Sequence, residues 1–261
     1  MRRVAAALCL VLALAACDGR ATKVSPTPSA SPSPSVTASP STTSPSVTPS
    51  LTASPTPSPT PSLELQLPAD APSEVSDPAA LAAVAAGDLT ALVPPEGTVV
   101  HTATLGAEGD RIVLTWRRGE DPFAAEQGFV EWRLLDGGST WRAVSAFTDD
   151  PRKGVLGIDL ETGDLTGDGV PDALTLEQQG GSGACGTWRV IVSTPKAASQ
   201  GFRHAACDTE IRIDGSTLAL REAVFGPDDP HCCPSAMRYA TLEWDGQTFV
   251  ETSSHVVDLT A

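Results

Sequence analysis

The stretch from Asp164 to Asp172 carries oxygen-bearing side chains at a spacing that suits a hard cation. Counted from Asp164, such side chains occupy positions 1, 3, 5 and 9: Asp164, Thr166, Asp168 and Asp172. Calcium takes six to eight oxygen ligands, and alternating positions of a tight loop can point oxygens to one side. Gly169 at position 6 permits the tight turn, and Val170 at position 7 can offer its backbone carbonyl. The pattern predicts a calcium loop.

The loop follows the first part of an EF-hand loop but not its end. Position 12 is Thr175, where an EF-hand has a bidentate glutamate, and Leu174 begins a strand-like run. The segment instead resembles the strand-loop-strand calcium motif of FG-GAP and VCBS repeats. The resemblance implies a structural Ca²⁺ with five ligands: Asp164, Thr166, Asp168, the Val170 carbonyl and Asp172. The alternative is a turn in which the aspartates accept hydrogen bonds from their own backbone.

Alternating apolar residues on both sides of the loop predict a mainly β, or α+β, fold. Asp-Gly pairs at 136–137, 214–215 and 245–246 lie between such runs and indicate hairpins of an antiparallel meander sheet. Asp77 followed by Pro78 predicts the start of one short N-terminal helix over Ala79–Ala86. One face of the sheet is expected to be packed by Ile112, Leu114, Trp116, Trp132, Leu134, Ile158, Leu160, Leu174, Leu176, Val190, Val192, Ile211, Ile213, Leu242 and Trp244.

The N-terminus predicts export and lipid anchoring. Two arginines precede a short apolar run that ends Leu14-Ala15-Ala16-Cys17, and this run is too short to span a membrane. It resembles the lipobox of bacterial lipoproteins, which implies cleavage after a signal peptide of residues 1–16 and a lipid on the sulfur of Cys17. The resemblance places the protein on the extracellular face of the cytoplasmic membrane.

Residues 17–76 are expected to form a disordered tether. No charged residue occurs between Val24 and Leu63, and the stretch is dominated by Ser, Thr, Pro and Ala. Such a composition cannot bury an apolar core, and its prolines favour extended polyproline II. The tether would carry a single β-rich domain of residues 77–261 away from the membrane. Its Ser and Thr residues also suit O-glycosylation.

Four cysteines remain in the exported domain: Cys185, Cys207, Cys232 and Cys233. An even number in an oxidising compartment predicts two disulfides. A hairpin of Trp188–Ser193 with Phe202–Cys207 would set Cys185 opposite Cys207, but that leaves adjacent residues to pair with each other. Adjacent Cα atoms lie about 3.8 Å apart, below the usual disulfide span. We therefore favour Cys232 and Cys233 each bonding to one of Cys185 and Cys207. A zinc site at Cys232 and Cys233 is the less favoured alternative.

The charge and the motifs narrow the function classes. The net charge of −15 disfavours a nucleic-acid partner, because phosphate binding needs basic residues. Neither G-x-S-x-G nor H-E-x-x-H occurs, and none of the four histidines lies in a nucleophile motif. We therefore expect a non-enzymatic binding or accessory module for an envelope protein or polysaccharide. The alternatives are a carboxylate-based hydrolase of wall or extracellular polymer and a purely structural envelope protein.

The C-terminal half also resembles a family. The resemblance is carried by residues 163–169, the 180–188 run, Cys207, the 232–235 run and the Trp244-Asp-Gly hairpin. They resemble the actinobacterial lipoproteins grouped as LppP/LprE-like, whose activity is not assigned. From the resemblance we expect bound calcium and paired disulfides in the same domain. The resemblance implies no catalytic activity.

Overall fold

The alternating segments form strands, and the Asp77–Pro78 pair begins a helix. A computed structural model describes residues 65–259 apart from 107–108, 122, 136, 182–183, 195–197 and 231. In these residues α1 spans Pro78–Ala85, and short 3-10 turns span Thr90–Leu92 and Pro151–Lys153. The strands are β1 Glu74–Val75, β2 Thr98–Leu105, β3 Arg111–Arg118, β4 Glu126–Leu135, β5 Thr140–Thr148, β6 Val155–Gly163, β7 Asp172–Gln179, β8 Gly186–Ser193, β9 Ala198–Ala206, β10 Thr209–Asp214, β11 Thr217–Val224, β12 Ala236–Trp244 and β13 Phe249–Asp258.

The predicted class is confirmed, but the strands divide among three antiparallel sheets. The N-terminal sheet has the order β1-β5-β4-β3-β2, the middle sheet β6-β7-β8-β9 and the C-terminal sheet β10-β11-β12-β13. From β2 onward, strands that follow one another in the chain within a sheet also pair with each other. Each sheet is therefore a meander of hairpins. The turns at Gly215 and Gly246 join β10 to β11 and β12 to β13, as their Asp-Gly pairs predict. Asp136 lies outside the described residues.

The expected single packed face is wrong, because the stacked sheets bury apolar side chains in three separate layers. One layer lies between α1 and the N-terminal sheet and contains Trp116 and Trp132. A second lies between the N-terminal and middle sheets, where Phe129 packs with Ile191. The third lies between the middle and C-terminal sheets: Leu174, Trp188, Val190, Val192, Ile211, Leu218, Leu220, Ala240, Leu242 and Phe249 among them. Each of the fifteen predicted core residues lies in one or another of the three layers.

Strand β8 shows why three layers form. Val190 and Val192 pack toward the C-terminal sheet, whereas Ile191 packs toward the N-terminal sheet. Successive side chains of a strand point to opposite faces, so consecutive apolar residues such as these three need an apolar layer on each side of the sheet. The middle sheet is therefore the central one of the three.

The helix begins as expected, and the folded domain begins earlier than the predicted boundary at residue 77. Asp77 Oδ1 accepts hydrogen bonds from the backbone N–H groups of Ala79 at 3.0 Å and Ala80 at 2.9 Å, which caps α1. Upstream, β1 pairs with β5, and Gln66 donates its N–H to the Ala146 carbonyl at 3.1 Å. The last residues assigned to the tether, 65–76, thus contact the N-terminal sheet.

Candidate functional site

The predicted calcium loop connects two paired strands of the middle sheet. Strand β6 ends at Gly163 and β7 begins at Asp172, and these two residues are direct partners across the ladder. The chain between them closes tightly because Gly167 and Gly169 adopt left-handed φ angles of 74° and 83°. Residues with a Cβ rarely take this conformation, which explains the two glycines in the motif.

The aspartates of the loop accept hydrogen bonds from its backbone. Asp164 accepts from the N–H groups of Gly167 at 2.8 Å and Gly169 at 3.0 Å. Asp168 Oδ1 accepts from the N–H of Val170 at 2.8 Å. Carboxylate side chains that satisfy nearby N–H groups stabilise turns without any other ligand. These contacts are the ones expected from the alternative, a turn in which the aspartates accept hydrogen bonds from their own backbone.

Asp172 ties the loop to β8 and is fully buried. Its Oδ2 accepts from the N–H groups of Leu165 at 3.0 Å and Thr166 at 3.1 Å, and its Oδ1 accepts from Ser193 N–H at 2.9 Å. Burial raises the pKa of Asp172 to about 6, although the three N–H groups act in the opposite direction. The charge on nearby Asp168 raises the pKa further. A carboxylate in this position gains from any added positive charge.

The predicted ligands match calcium in chemistry more closely than in arrangement. All five would offer oxygen, which calcium prefers, and the buried Thr166 Oγ1 has no hydrogen-bond partner. However, the described part of the chain contains no group of three or more Asp, Glu, His or Cys side chains placed to hold a metal. As the side chains lie, hydrogen bonds brace the loop. A cation would have to draw Asp164 and Asp168 toward Asp172.

A buried polar cluster adjoins this loop and was not predicted. Glu131, with no exposed surface, accepts from Arg133 Nε at 3.1 Å and Nη2 at 3.0 Å. It also accepts from Ser193 Oγ at 2.6 Å, while Arg111 Nη1 donates to the same hydroxyl at 3.5 Å. Charged residues alternate with apolar ones along β4, and that pattern normally marks a solvent face. Only the stacked middle sheet buries this face, so no local signal could identify the cluster.

The structure corrects the predicted disulfide pairing. Cys185 bonds to Cys207, whereas Cys232 and Cys233 are free and exposed. The predicted β8–β9 hairpin is confirmed, and its register pairs Gly186 with Ala206. Cys185 and Cys207 lie one residue beyond this pair on their respective strands, so the hairpin register places them opposite each other. The bond between them leaves neither to pair with Cys232 or Cys233.

Two cavities bear on the function. One, of about 520 Å³, lies beside β10 and β11: its lining is Ala184, Asp208, Thr209, Glu210, Arg221, Ala223, Cys232, Pro234 and Met237. The other, of about 180 Å³, lies between the middle and C-terminal sheets: its lining is Asp159, Leu160, Glu161, Leu174, Leu176, Trp188 and Ile211. Ligand pockets usually measure roughly 300–1,000 Å³, so only the first of these two has the size of a ligand site. A further cavity, of about 310 Å³, adjoins the loop and is near the lower end of that range: its lining is Leu165, Thr166, Gly167, Ser216, Thr217, Glu243 and Trp244.

The described histidines form no nucleophile–base pair with a neighbouring Ser or Cys. His101 Nε2 lies 3.6 Å from Asp159 Oδ1, and His204 Nε2 lies 3.8 Å from Glu222 Oε1. His255 stacks on Tyr239 with ring centroids 5.3 Å apart. His231 lies outside the described residues. These contacts have the character of surface pairs and packing rather than of an activated nucleophile.

Comparison with known proteins adds no relative. A scan of protein-family models and searches of the curated proteins and the solved structures found no match. Among the residues that the structure covers, no helix is long and apolar enough to cross a membrane. The predicted signal peptide, Cys17 and the proline-rich part of the predicted tether up to residue 64 lie outside the described residues.

Proposed function

We propose that this chain is an exported lipoprotein whose β domain acts as a non-enzymatic binding module at the extracellular face of the cytoplasmic membrane. The short apolar leader ending in Cys17 supports the lipid anchor, and the Ser/Thr/Pro-rich segment supports a long reach from the membrane. The domain would then meet partners within the cell envelope.

The observation that carries the binding role is the 520 Å³ cavity beside β10 and β11. Its wall combines charges of both signs, from Arg221, Glu210 and Asp208, with the apolar side chains of Ala223 and Met237. Binding sites commonly combine an apolar surface with a few polar groups that orient the ligand. This lining suits a polar, mixed-charge segment of an envelope protein or a polysaccharide.

The rival hydrolase function would rest on Asp159 and Glu161, which lie two residues apart on β6 and line the smaller cavity. Paired carboxylates can hydrolyse glycosides when substrate fits between them. Here the cavity is about 180 Å³. Gln178 donates to Asp159, and Glu161 Oε2 accepts from Ile213 N–H at 3.3 Å. These contacts favour a structural role for both carboxylates.

Calcium binding by the Asp164–Asp172 loop is a second part of the proposal. The loop offers oxygen ligands only, and the unpartnered Thr166 hydroxyl and buried Asp172 would both gain from a cation. The bound ion would brace the β6–β7 connection rather than take part in a reaction. With a loop already held by hydrogen bonds, we expect a weak site of the extracellular kind.

A filled cavity tests the binding role. Ala223→Leu would project a larger side chain into the 520 Å³ cavity, whereas Ala219→Leu changes the same face of β11 outside its lining. Full-length protein is immobilised in detergent and exposed to solubilised native envelope and to purified wall polysaccharide. We expect one component to be retained by the wild type and Ala219→Leu and lost by Ala223→Leu.

Two other results would contradict the proposal. Equal retention by all three proteins would place the binding surface elsewhere, and no retention by any of them would favour the purely structural alternative. Release of sugar from the polysaccharide, abolished by Asp159→Asn and Glu161→Gln, would instead establish the hydrolase.

A further inference from the structure

The two free cysteines are held in one tight turn with their sulfur atoms together. The Cys233 N–H donates to the Pro230 carbonyl at 2.9 Å, which closes a four-residue turn. The Sγ atoms of Cys232 and Cys233 lie 2.8 Å apart, and both residues are exposed. A disulfide needs the sulfurs to approach to about 2.05 Å, so little movement separates the two thiols from a bond.

Asp229 holds the loop that carries this turn. Its Oδ2 accepts from Gly226 N–H at 2.6 Å and from Ser235 N–H at 2.8 Å, so one carboxylate joins both ends of the loop. These N–H groups lower the pKa of Asp229, with Gly226 contributing most, so the carboxylate stays ionised at neutral pH. A loop clamped at its ends keeps the two thiols next to each other, which favours reaction between them over reaction with a second molecule.

Neither thiol has another cysteine available to it within the described fold. Cys185 and Cys207 are already bonded to each other. Cys232 also lines the 520 Å³ cavity, together with Arg221, Glu210 and Asp208. Arg221 Nη1 and Glu210 Oε2 lie 3.6 Å apart and pair with each other. A small zwitterionic disulfide would exchange this ion pair for its own carboxylate on Arg221 and its ammonium groups on Glu210 and Asp208, and would reach the Cys232 sulfur.

We propose that Cys232 and Cys233 are a reversible dithiol–disulfide pair whose co-reactant is a low-molecular-weight disulfide of the cystine or glutathione class. One cysteine thiolate attacks a sulfur of the small disulfide, forms a mixed disulfide and expels one small thiolate. The neighbouring thiolate then attacks the protein sulfur of that mixed disulfide, forms the Cys232–Cys233 bond and expels the second small thiolate. The two cysteine protons end on the two released thiols. The protein is oxidised by two electrons and the small disulfide is reduced.

The pair is expected to be easier to reduce than Cys185–Cys207. A bond between neighbouring residues closes an eight-membered ring that contains their own peptide bond and is therefore strained, whereas Cys185 and Cys207 are separated by 22 positions and close no such ring. Strained and exposed disulfides have the more oxidising potentials. Within one domain, Cys185–Cys207 would serve as the permanent cross-link and Cys232–Cys233 as the exchangeable one.

The experiment titrates the full-length protein, in detergent, with buffers of varied glutathione to glutathione disulfide ratio. Samples are acid-quenched, alkylated and digested with trypsin, which releases residues 222–238 as a peptide holding Cys232 and Cys233 and no other cysteine. We expect this peptide to change from doubly alkylated to an unalkylated form two hydrogens lighter than the dithiol. Cys185–Cys207 should stay bonded across the whole series.

Three variants distinguish disulfide formation between Cys232 and Cys233 from the independent reaction of each thiol with glutathione disulfide. In Cys232→Ser the mixed disulfide with glutathione should accumulate on Cys233, because no neighbour can displace it. Asp229→Asn, which weakens the clamp, should require a roughly tenfold higher proportion of glutathione disulfide for half-closure. Asp228→Asn, a matched exposed neighbour, should titrate as the wild type does.

Several results would overturn the proposal. In the wild type these are a peptide that remains doubly alkylated at every ratio, one that keeps a glutathione adduct, and one cross-linked to Cys185, Cys207 or a second chain. Titration of Cys185–Cys207 together with the pair would overturn the assigned roles. None of these readouts depends on the ligand-binding proposal, which can fail independently.

Discussion

The Ser193 hydroxyl donates to Glu131 Oε1 at 2.6 Å, and this bond joins β8 of the middle sheet to β4 of the N-terminal sheet. The backbone N–H of the same residue donates to Asp172 at 2.9 Å. Ser193 therefore couples the charged pair of Glu131 and Arg133 to the carboxylate that anchors the 164–172 loop. Buried charges need such partners, because an unpaired one costs several kcal/mol.

Removing this hydroxyl should destabilise the domain. In Ser193→Ala the buried Glu131 loses a donor while the N–H bond to Asp172 remains. We expect a loss of about 1–3 kcal/mol in the free energy of unfolding, measured by urea denaturation. Ser216→Ala, at an exposed hairpin position, should stay within about 0.5 kcal/mol of the wild type. Equal stability of Ser193→Ala and the wild type would show that the cluster does not hold the two sheets together.

Calcium should stabilise the wild type against heat, and Asp168→Asn should reduce the effect. The asparagine keeps an oxygen to accept the Val170 N–H but removes one of the three negative charges that attract the cation. In EDTA we therefore expect wild type and variant to melt at nearly the same temperature, and in millimolar calcium the melting temperature of the wild type should rise more than that of the variant. Asp214→Asn, in a hairpin outside the loop, should respond as the wild type does. An unchanged wild-type melting temperature on adding calcium would rule out the site.

The buried Asp172 should give stability an unusual dependence on pH. Its folded pKa of about 6 exceeds its ordinary value of 3.8, so between these values the folded state binds the proton more tightly than the unfolded state. Its contribution is present below about pH 4 and is lost as the pH rises through about 6. In EDTA, the stability of the wild type relative to Asp172→Asn should therefore fall over this range and level off above it.

For Asp245, the same measurement should show the opposite dependence of stability on pH. The N–H groups of Thr248 and Gln247 lower its pKa below 3.8. The stability of the wild type relative to Asp245→Asn should be present above this value and be lost as the pH falls further. If both variants gave the same slope, the environment of Asp172 would not be the cause.

Gly128 should tolerate no side chain. A Cβ there would lie 2.7 Å from Trp116 ring atoms and 2.8 Å from the Phe147 carbonyl oxygen, which is closer than such atoms approach. Gly128→Ala is expected to cost about 1–3 kcal/mol through overpacking of the layer beneath α1. A Cβ at Gly157 meets nothing within 4 Å, so Gly157→Ala should be near neutral. Comparable urea midpoints for the two variants would contradict this assignment.

Lipid attachment at Cys17 predicts a change of location. Expressed in a bacterial host, the wild type should incorporate an alkyne-tagged fatty acid and fractionate with membranes. Cys17→Ala should lose the label and leave the membrane, whereas Cys9→Ser, within the leader, should behave as the wild type does. Membrane retention of unlabelled Cys17→Ala would mean that another part of the chain anchors the protein.

Local patterns were sufficient for much of this fold. Alternating residues predicted the strands, Asp-Gly pairs predicted the described hairpins at Gly215 and Gly246, and Asp77-Pro78 predicted the start of α1. These signals act over a few residues, through side-chain direction, turn conformation and helix capping. The glycines of the 164–172 loop likewise matched the left-handed angles that the turn requires.

Relations between distant segments were decided only by the tertiary structure. The stacking of the middle sheet buried Glu131 on a face that its own strand marks as polar. The same stacking brought the Ser193 hydroxyl to Glu131, while the Ser193 N–H reaches Asp172 within the middle sheet. Which face of a strand is covered, and by what, depends on sheet packing, and no local pattern records it. The sequence by itself therefore determined most of the strands, the turns and the expected address, while the burial of charge arose from how the three sheets pack.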